Sequence, residues 1–405
     1  MTPPLVLVDP PAAPFWPLAA TRPVAEILAG TRTFRARWAA REGPVAALWS
    51  DPGVAGARLR GESPPPVGAW PDPAQGYRVA LSTWIPERGW RFGEESAAYR
   101  SGPESVAWRL SPEEARSLSE TSTIDVLRGH LAELDLPAEE VDGRLLGSIW
   151  SVVDSNPDLV TADALDIQGS DTVTGVDPFV LLGDAAMLKV ARGVTIGPFV
   201  VLDARGGPIV LDEGARIEPQ AVLHGPLYVG RESMVLGDVV AGSSIGPRCK
   251  VHGDLEQSIV VGYSNKAHEG FVGHSVLGEW VNLGAGTTTS DLKNTYGSVR
   301  VEGPEGRVDT GLLKVGSFLG DHVKTGIGSL LTTGARLGVA THFFGGSVSP
   351  PWLPHFSWHD GRERSGVRWD AFLRATELAM ARRGETMTQG ERDILAVLHA
   401  QAGSS

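Results

Sequence analysis

The sequence is nearly devoid of cysteine. Cys249 stands alone in 405 residues, which excludes an intrachain disulfide framework and any cysteine-based zinc site. Long apolar runs are also missing. None approaches the ~18 residues that span a bilayer, so no membrane partner is expected. The N-terminal MTPPLVLVDPPAAP has no basic segment before its apolar stretch, so no signal peptide is expected and the cytoplasm is the expected location. Positive charge is short as well: 36 Lys and Arg stand against 48 Asp and Glu, a net charge of -12. Such a chain repels phosphate backbones and is not expected to bind nucleic acid generally. Lysine is the scarcest cation. Lys189, Lys250, Lys266, Lys293, Lys314 and Lys324 are all there are. A general preference for Arg over Lys accounts for most of that pattern, yet chemistry that needs an ammonium is confined to the middle of the chain.

Gly and Pro are abundant, 50 and 29 residues, well above the usual ~12% for the pair. The fold must therefore contain many turns. Apolar residues at 42% and charged residues at 21% fit an ordinary globular chain. The length suggests two to three domains at about 150 residues each.

The chain divides into zones. Residues 1–105 mix short apolar runs (LVLVD, VAALW, YRVALSTW) with turns and one helix near Val24–Ala39, which reads as a small α/β region. Residues 106–166 carry helical patterns, including SPEEARSL with Ser111 as cap and Pro112 in the first turn. Residues 347–405 hold a loop and two amphipathic helices, WDAFLRATELAMARR and GERDILAVLHA.

Residues 167–346 contain a repeat. An aliphatic recurs every six residues in runs: 211, 217, 223, 229, 235; then 271, 277, 283; then 319, 325, 331, 337, 343, with Phe271, Thr325 and Phe343 as exceptions to the residue type. A small residue often follows four positions on, as Ala215 follows Leu211, Ala221 follows Ile217, and Ser275 follows Phe271. This period predicts a parallel β-helix of hexapeptide repeats, three hexads per coil and about eight coils. An α/β sheet with Gly-rich loops does not explain it. The period slips between Val251 and Ile259 and is lost across 289–315. A loop leaving a solenoid there is a common place for binding residues.

The stretch Asn265–Thr287, NKAHEGFVGHSVLGEWVNLGAGT, resembles the acetyltransferase half of the GlmU-type family, the bifunctional N-acetylglucosamine-1-phosphate uridyltransferases/glucosamine-1-phosphate acetyltransferases. Its Lys-Ala-Gly-His followed by Asn-Ile-Gly-Ala-Gly-Thr matches the spacing from His268 to Asn282. GDHVKTG, FSWHDG and the N-terminal PLAATRPVAEILAGTRTF are similar to a divergent branch of that family. The resemblance implies a left-handed β-helix, a homotrimer and acetyl-CoA as co-substrate. It implies transfer to an amino sugar phosphate or nucleotide sugar, with His268 as general base. Asn282 and Lys266 are then substrate contacts, with Lys293 and Lys324 as further candidates. Gly284, Ala285, Gly286 and Thr287 line the cofactor. Phe271, Asp291 and Leu292 depart from the family pattern.

Chemistry points the same way. Acyl transfer to an amine needs the amine neutral, and His is the natural base near pH 7. The Gly284–Gly286 backbone is a candidate to steady the thioester oxygen. His268, His274 and His322 share an outward phase of the repeat. A zinc hydratase site across a subunit interface needs a tighter His pair than the sequence has, so no metal ligand is assigned. A scaffold solenoid without activity is the non-enzyme alternative. In the N-terminal zone only Pro17-Leu18 and Thr21-Arg22-Pro23 resemble a nucleotidyltransferase signature. The glycine loop and lysine that clamp a triphosphate are missing, with Arg22 and Arg32 as partial substitutes. This zone reads as a reduced nucleotidyltransferase-like domain, with Mg²⁺ implied only if sugar-1-phosphate nucleotidyl transfer persists.

Overall fold

The computed structural model describes residues 2–59, 64–168 and 178–403; the expected start of the repeat zone partly lies outside them. The N-terminal region is a six-stranded sheet. Strands Val45–Trp49, Leu5–Val8 and Tyr77–Leu81 run parallel, followed by the antiparallel pair Glu104–Leu110 and Ala97–Ser101, with Ala138–Glu140 at the edge. Its helices are α1 (Phe34–Glu42), α2 (Pro112–Ser119), α3 (Ile124–Glu133) and α4 (Ile149–Ala164). Ser111 and Glu114 form a reciprocal capping box on α2, as its sequence predicts. The helix expected near 24–39 begins later, because Pro23 opens a single 3-10 turn and Gly30 (φ 73°) breaks the chain before Thr33 caps α1.

The middle zone is a mainly β, parallel solenoid with three faces, as the six-residue period predicts. One face stacks nine strands from Leu188–Val190 to Trp352–Leu353. Its inward residues form one ladder: Val190, Leu211, Val229, Ile245, Val260, Leu277, Leu319, Leu337 and Leu353. All are buried, so the core is a single aliphatic column. The rung-to-rung step is not a fixed 18. It falls to 15 between Ile245 and Val260, is 21 between Val190 and Leu211, and reaches 42 between Leu277 and Leu319, where the excursion leaves the coil. The expected core position Phe271 also yields to Val272, which is fully buried.

Small residues at the corners do more than fit. Ser243, Ser258, Ser275 and Ser317 stack, and each of the first three hydroxyls accepts the backbone N–H of the next serine at 2.9–3.0 Å. These bonds satisfy buried donors that the tight corner strips from the strand ladder. Another corner column holds Tyr263, Trp280, His322, Ala340 and Phe356, all at φ between 54° and 62°.

The excursion at 289–315 is an antiparallel hairpin, Arg300–Gly303 with Gly306–Asp309. Val299, Val301 and Val315 are buried in a core shared with Phe15, Leu18 and α4. It therefore braces the N-terminal region instead of lining a site. The same core takes in Val210, Tyr228, Ile259, Val276 and Phe318, the outward residues of the nine-stranded face. That face is apolar on both sides because the N-terminal region covers it. Helices α5 (Trp369–Ala381) and α6 (Gln389–Ala402) follow the solenoid and fold back on the aromatic corner, where Phe372 meets His322 and Phe356 edge-on. Among the described residues no helix is long and apolar enough to cross a membrane.

Candidate functional site

A second solenoid face carries a polar column on its outer side. Register places Lys250, Asn265, Asn282, Lys324 and His342 on successive rungs, about 4.8 Å apart. The adjacent corner and the C-terminal end of α5 wall this column into a cleft of about 830 Å³. His268, Asn282 and Lys324, expected as site residues, meet there, and Arg248, Lys250, Arg382 and Arg383 join them.

His268 is exposed on the corner after its strand. Asn282 accepts a long hydrogen bond from the Asn265 amide at 3.4 Å, which leaves its own NH₂ for a ligand. Arg383 donates to Asn265 at 2.8 Å and to the Arg248 carbonyl. Arg248 pairs with Glu232 at 2.8 Å and Glu385 at 3.2 Å. By contrast, the side chains of Lys250, Lys324 and Arg382 have no hydrogen bond or ion pair among the described residues. Lys324 is half-buried, and burial pushes its pKa down. A desolvated cation without a counter-charge favours an incoming anion.

Six expected contacts are arranged otherwise. Lys266 occupies a core position, aligned with Val251, and is 2% exposed. Its ammonium donates to the carbonyls of His268, at 2.9 Å, and of His252. It holds the corner that presents His268 and does not face the cleft; burial brings its pKa down to about 8. Lys293 donates to the Ser298 carbonyl within the excursion and is not among the cleft residues. The Gly284 N–H is committed to Thr325, the Gly286 N–H to the Glu269 carbonyl at 3.0 Å. Neither is a free oxyanion donor. Gly284 is required for coil stacking, since a Cβ there would lie 2.5 Å from the Gly326 backbone. Thr287 is buried, its hydroxyl bonded to Gly284 and Thr325, and Ala285 lies on the same turn, its carbonyl accepting from Gly328 at 2.8 Å.

The other outward histidines are covered. His274 is buried with Nδ1 2.8 Å from Asp291, whose pKa that contact lowers. His322 is buried beneath α5, and burial pulls its pKa down to about 4. No group of three or more metal-ligating side chains occurs among the described residues. Sequence reading missed Arg248, Arg382 and Arg383. Their only signal was the Arg-Arg ending the penultimate helix, and nothing local tells where that helix docks.

The N-terminal signature loop also borders openings, a hollow of about 830 Å³ lined by Trp16, Ala19 and Ala20 and a smaller one of about 120 Å³ at Thr21 and Arg22, but its cations are engaged. Arg22 is buried in an ion pair with Asp321 and lies 3.7 Å from Glu279, while Thr21 donates to Asp321 at 2.6 Å. Arg32 faces Asp163 at 3.5 Å. Asp9, at the end of its parallel strand, accepts from Ser82 and Ala25, and burial raises its pKa to about 6. A lone, buried, readily protonated carboxylate does not fit a magnesium ion.

No protein-family model matches the chain. A bifunctional sugar-1-phosphate nucleotidylyltransferase/acetyltransferase of Sulfurisphaera tokodaii is 34% identical over 95 residues, 24% of each chain. The bifunctional protein GlmU of Methanocaldococcus jannaschii is 27% identical over 194 residues, 48% of this chain and 41% of that protein. The chain thus spans well under half the length of these relatives. The solved Arabidopsis UDP-N-acetylglucosamine acyltransferase aligns over 56% of this chain and 90% of its own, with 12% identity and a TM-score of 0.31. By its sequence relatives the chain is GlmU-like, similar over part of its length to bifunctional sugar-1-phosphate nucleotidyltransferase/acetyltransferases.

Proposed function

We propose that the chain is an acetyl-CoA-dependent acyltransferase acting on an amino sugar phosphate or nucleotide sugar. The observation that carries this reading is the convergence of unpartnered Lys250, Lys324 and Arg382 on a cleft holding His268 and Asn282. In a chain of net charge -12, such a local surplus of cations selects an anion. Lys324 and its neighbours bind the phosphate. His268 removes the ammonium proton, and the freed amine attacks the thioester carbonyl carbon. The N–C bond forms, the C–S bond breaks, and the thiolate leaves to be protonated. The Asn282 amide is the donor for the carbonyl oxygen, since Gly284 and Gly286 are engaged between coils. Lys266 acts through the backbone as a positioning residue.

The assembly we propose is a homotrimer. Its support is an outward valine ladder on the third face, Val180, Val201, Val222 and Val239, with Val180 49% and Val239 39% exposed. Light scattering checks it, and a monomeric mass contradicts it.

General-base removal costs about 10²–10⁴ in rate. His268→Ala should lose that factor in acetyl transfer while binding acetyl-CoA as the parent does. Transfer near the parental rate from pH 6 to 9 rules out the base. Failure of the parent to bind acetyl-CoA at all favours the scaffold reading.

A further inference from the structure

A second basic hollow lies on the N-terminal region, remote from the signature loop. It has a volume of about 640 Å³ and sits between α1, the segment after Tyr77–Leu81, and the end of α4. Five guanidiniums line it, from Arg32, Arg37, Arg41, Arg88 and Arg91, against two carboxylates, Asp163 and Asp166.

The carboxylates are divided among too many partners. Asp163 serves Arg37 and also Arg32, at 3.5 Å. Glu42, the last residue of α1, pairs with Arg78 at 2.8 Å and stands 3.8 Å from both Arg41 and Arg91. The Nε groups of Arg37 and Arg41 are buried without a hydrogen-bond partner. Burial lowers the Arg41 pKa, and the like charge of Arg91 pushes the same way. The Arg88–Asp166 pair is 2.7 Å long but more than half exposed on both sides, so it exchanges readily for another anion. Guanidinium forks match phosphate oxygens bidentately. A single phosphate is small for this volume and leaves charge uncompensated. The floor and rim are apolar, with Trp84 fully buried and Leu165 66% exposed, which suits a ligand with an organic part.

We propose that this hollow binds a diphosphate group, gripped by Arg41, Arg88 and Arg91, independently of the solenoid cleft. None of the signature-loop residues 10–23 lines it.

Calorimetry on the full chain, with inorganic pyrophosphate and UDP as probes, tests the assignment. Lys250→Met/Lys324→Met removes two cations of the solenoid cleft, and Arg88→Glu/Arg91→Glu reverses charge at two side chains more than half exposed, with circular dichroism and urea unfolding verifying that each variant folds. The cleft variant should still bind, and the arginine variant in that background should lose at least about tenfold in affinity. UDP binding more tightly than pyrophosphate assigns an organic diphosphate; equal or weaker UDP binding assigns free pyrophosphate. The proposal is overturned if neither probe binds the cleft variant, or if binding is indifferent to Arg88→Glu/Arg91→Glu. Either result leaves the acyltransferase reading intact, because that reading stands on His268.

Discussion

The signature loop of the N-terminal region and the polar face of the solenoid both present cations, and they treat them oppositely. Arg22 is locked against Asp321 and Glu279, and its side chain is 10% exposed. Lys250, Lys324 and Arg382 face an open cleft and make no ion pair among the described residues; the carboxylate that lines it, Glu232, is paired with Arg248. A cation already paired and buried holds domains together; a cation left unpaired at a cleft is available to a ligand. In the structure the signature loop thus serves as a clamp onto the solenoid.

Breaking the clamp should have the largest effect on stability. Asp321→Ala takes from buried Arg22 its nearer carboxylate, leaving Glu279 at 3.7 Å, and should cost about 3 kcal/mol, the low end of what removing one member of a buried pair costs. Urea unfolding measures it, and a loss below 1 kcal/mol would place Arg22 in contact with water.

Removing an unpaired cation should do the reverse. Lys324→Met should raise KM for a phosphate-bearing acceptor about tenfold or more, with kcat little changed. Stability should hold or rise, because a desolvated charge is deleted. Steady-state kinetics with and without the acceptor phosphate separates this from a folding defect, and an unchanged KM would remove Lys324 from the acceptor site.

Lys266 sharpens the comparison as a cation buried but bonded only to carbonyls. Its pKa falls from 10.5 unfolded to about 8 folded. The unfolded chain therefore binds more protons between those values, so folding stability rises with pH there. Relative to Lys266→Met, the parent should gain stability from pH 8 to 10.5 and show a constant difference below pH 8. A difference that shrinks to nothing with lowered pH would mean the ammonium is not desolvated.

The smallest signal is expected from the N-terminal signature loop itself. No pyrophosphate release should be detected with sugar 1-phosphates and UTP or dTTP plus Mg²⁺, since Arg22 and Asp9 are enclosed. Robust turnover would reverse the contrast and restore the bifunctional reading.

Much of this was legible in the residues. The six-residue aliphatic period specified the coil, because each coil contributes the same three inward positions to one column. His268 and Asn282 were legible as site candidates through the resemblance of Asn265–Thr287 to the GlmU-type pattern, and the structure brings both to one cleft. Lys266 was misplaced for a related reason: a lysine at a core phase of the repeat reads as outward to anyone weighing charge, whereas register aligns it with Val251. The variable coil length, from 15 to 21 residues on the nine-stranded face apart from the 42-residue coil that carries the excursion, blurred that phase.

The sequence by itself determined the solenoid and its corner residues, since these follow from local period and backbone sterics repeated coil after coil. Only the tertiary structure decided which cations are free. That depends on where α5, the excursion hairpin and the N-terminal sheet dock. Arg22 meets Asp321 across 299 residues of chain, and Arg383 meets Asn265 across 118. Electrostatic pairing acts through space at a few ångströms, and no local pattern encodes a partner that distant along the chain.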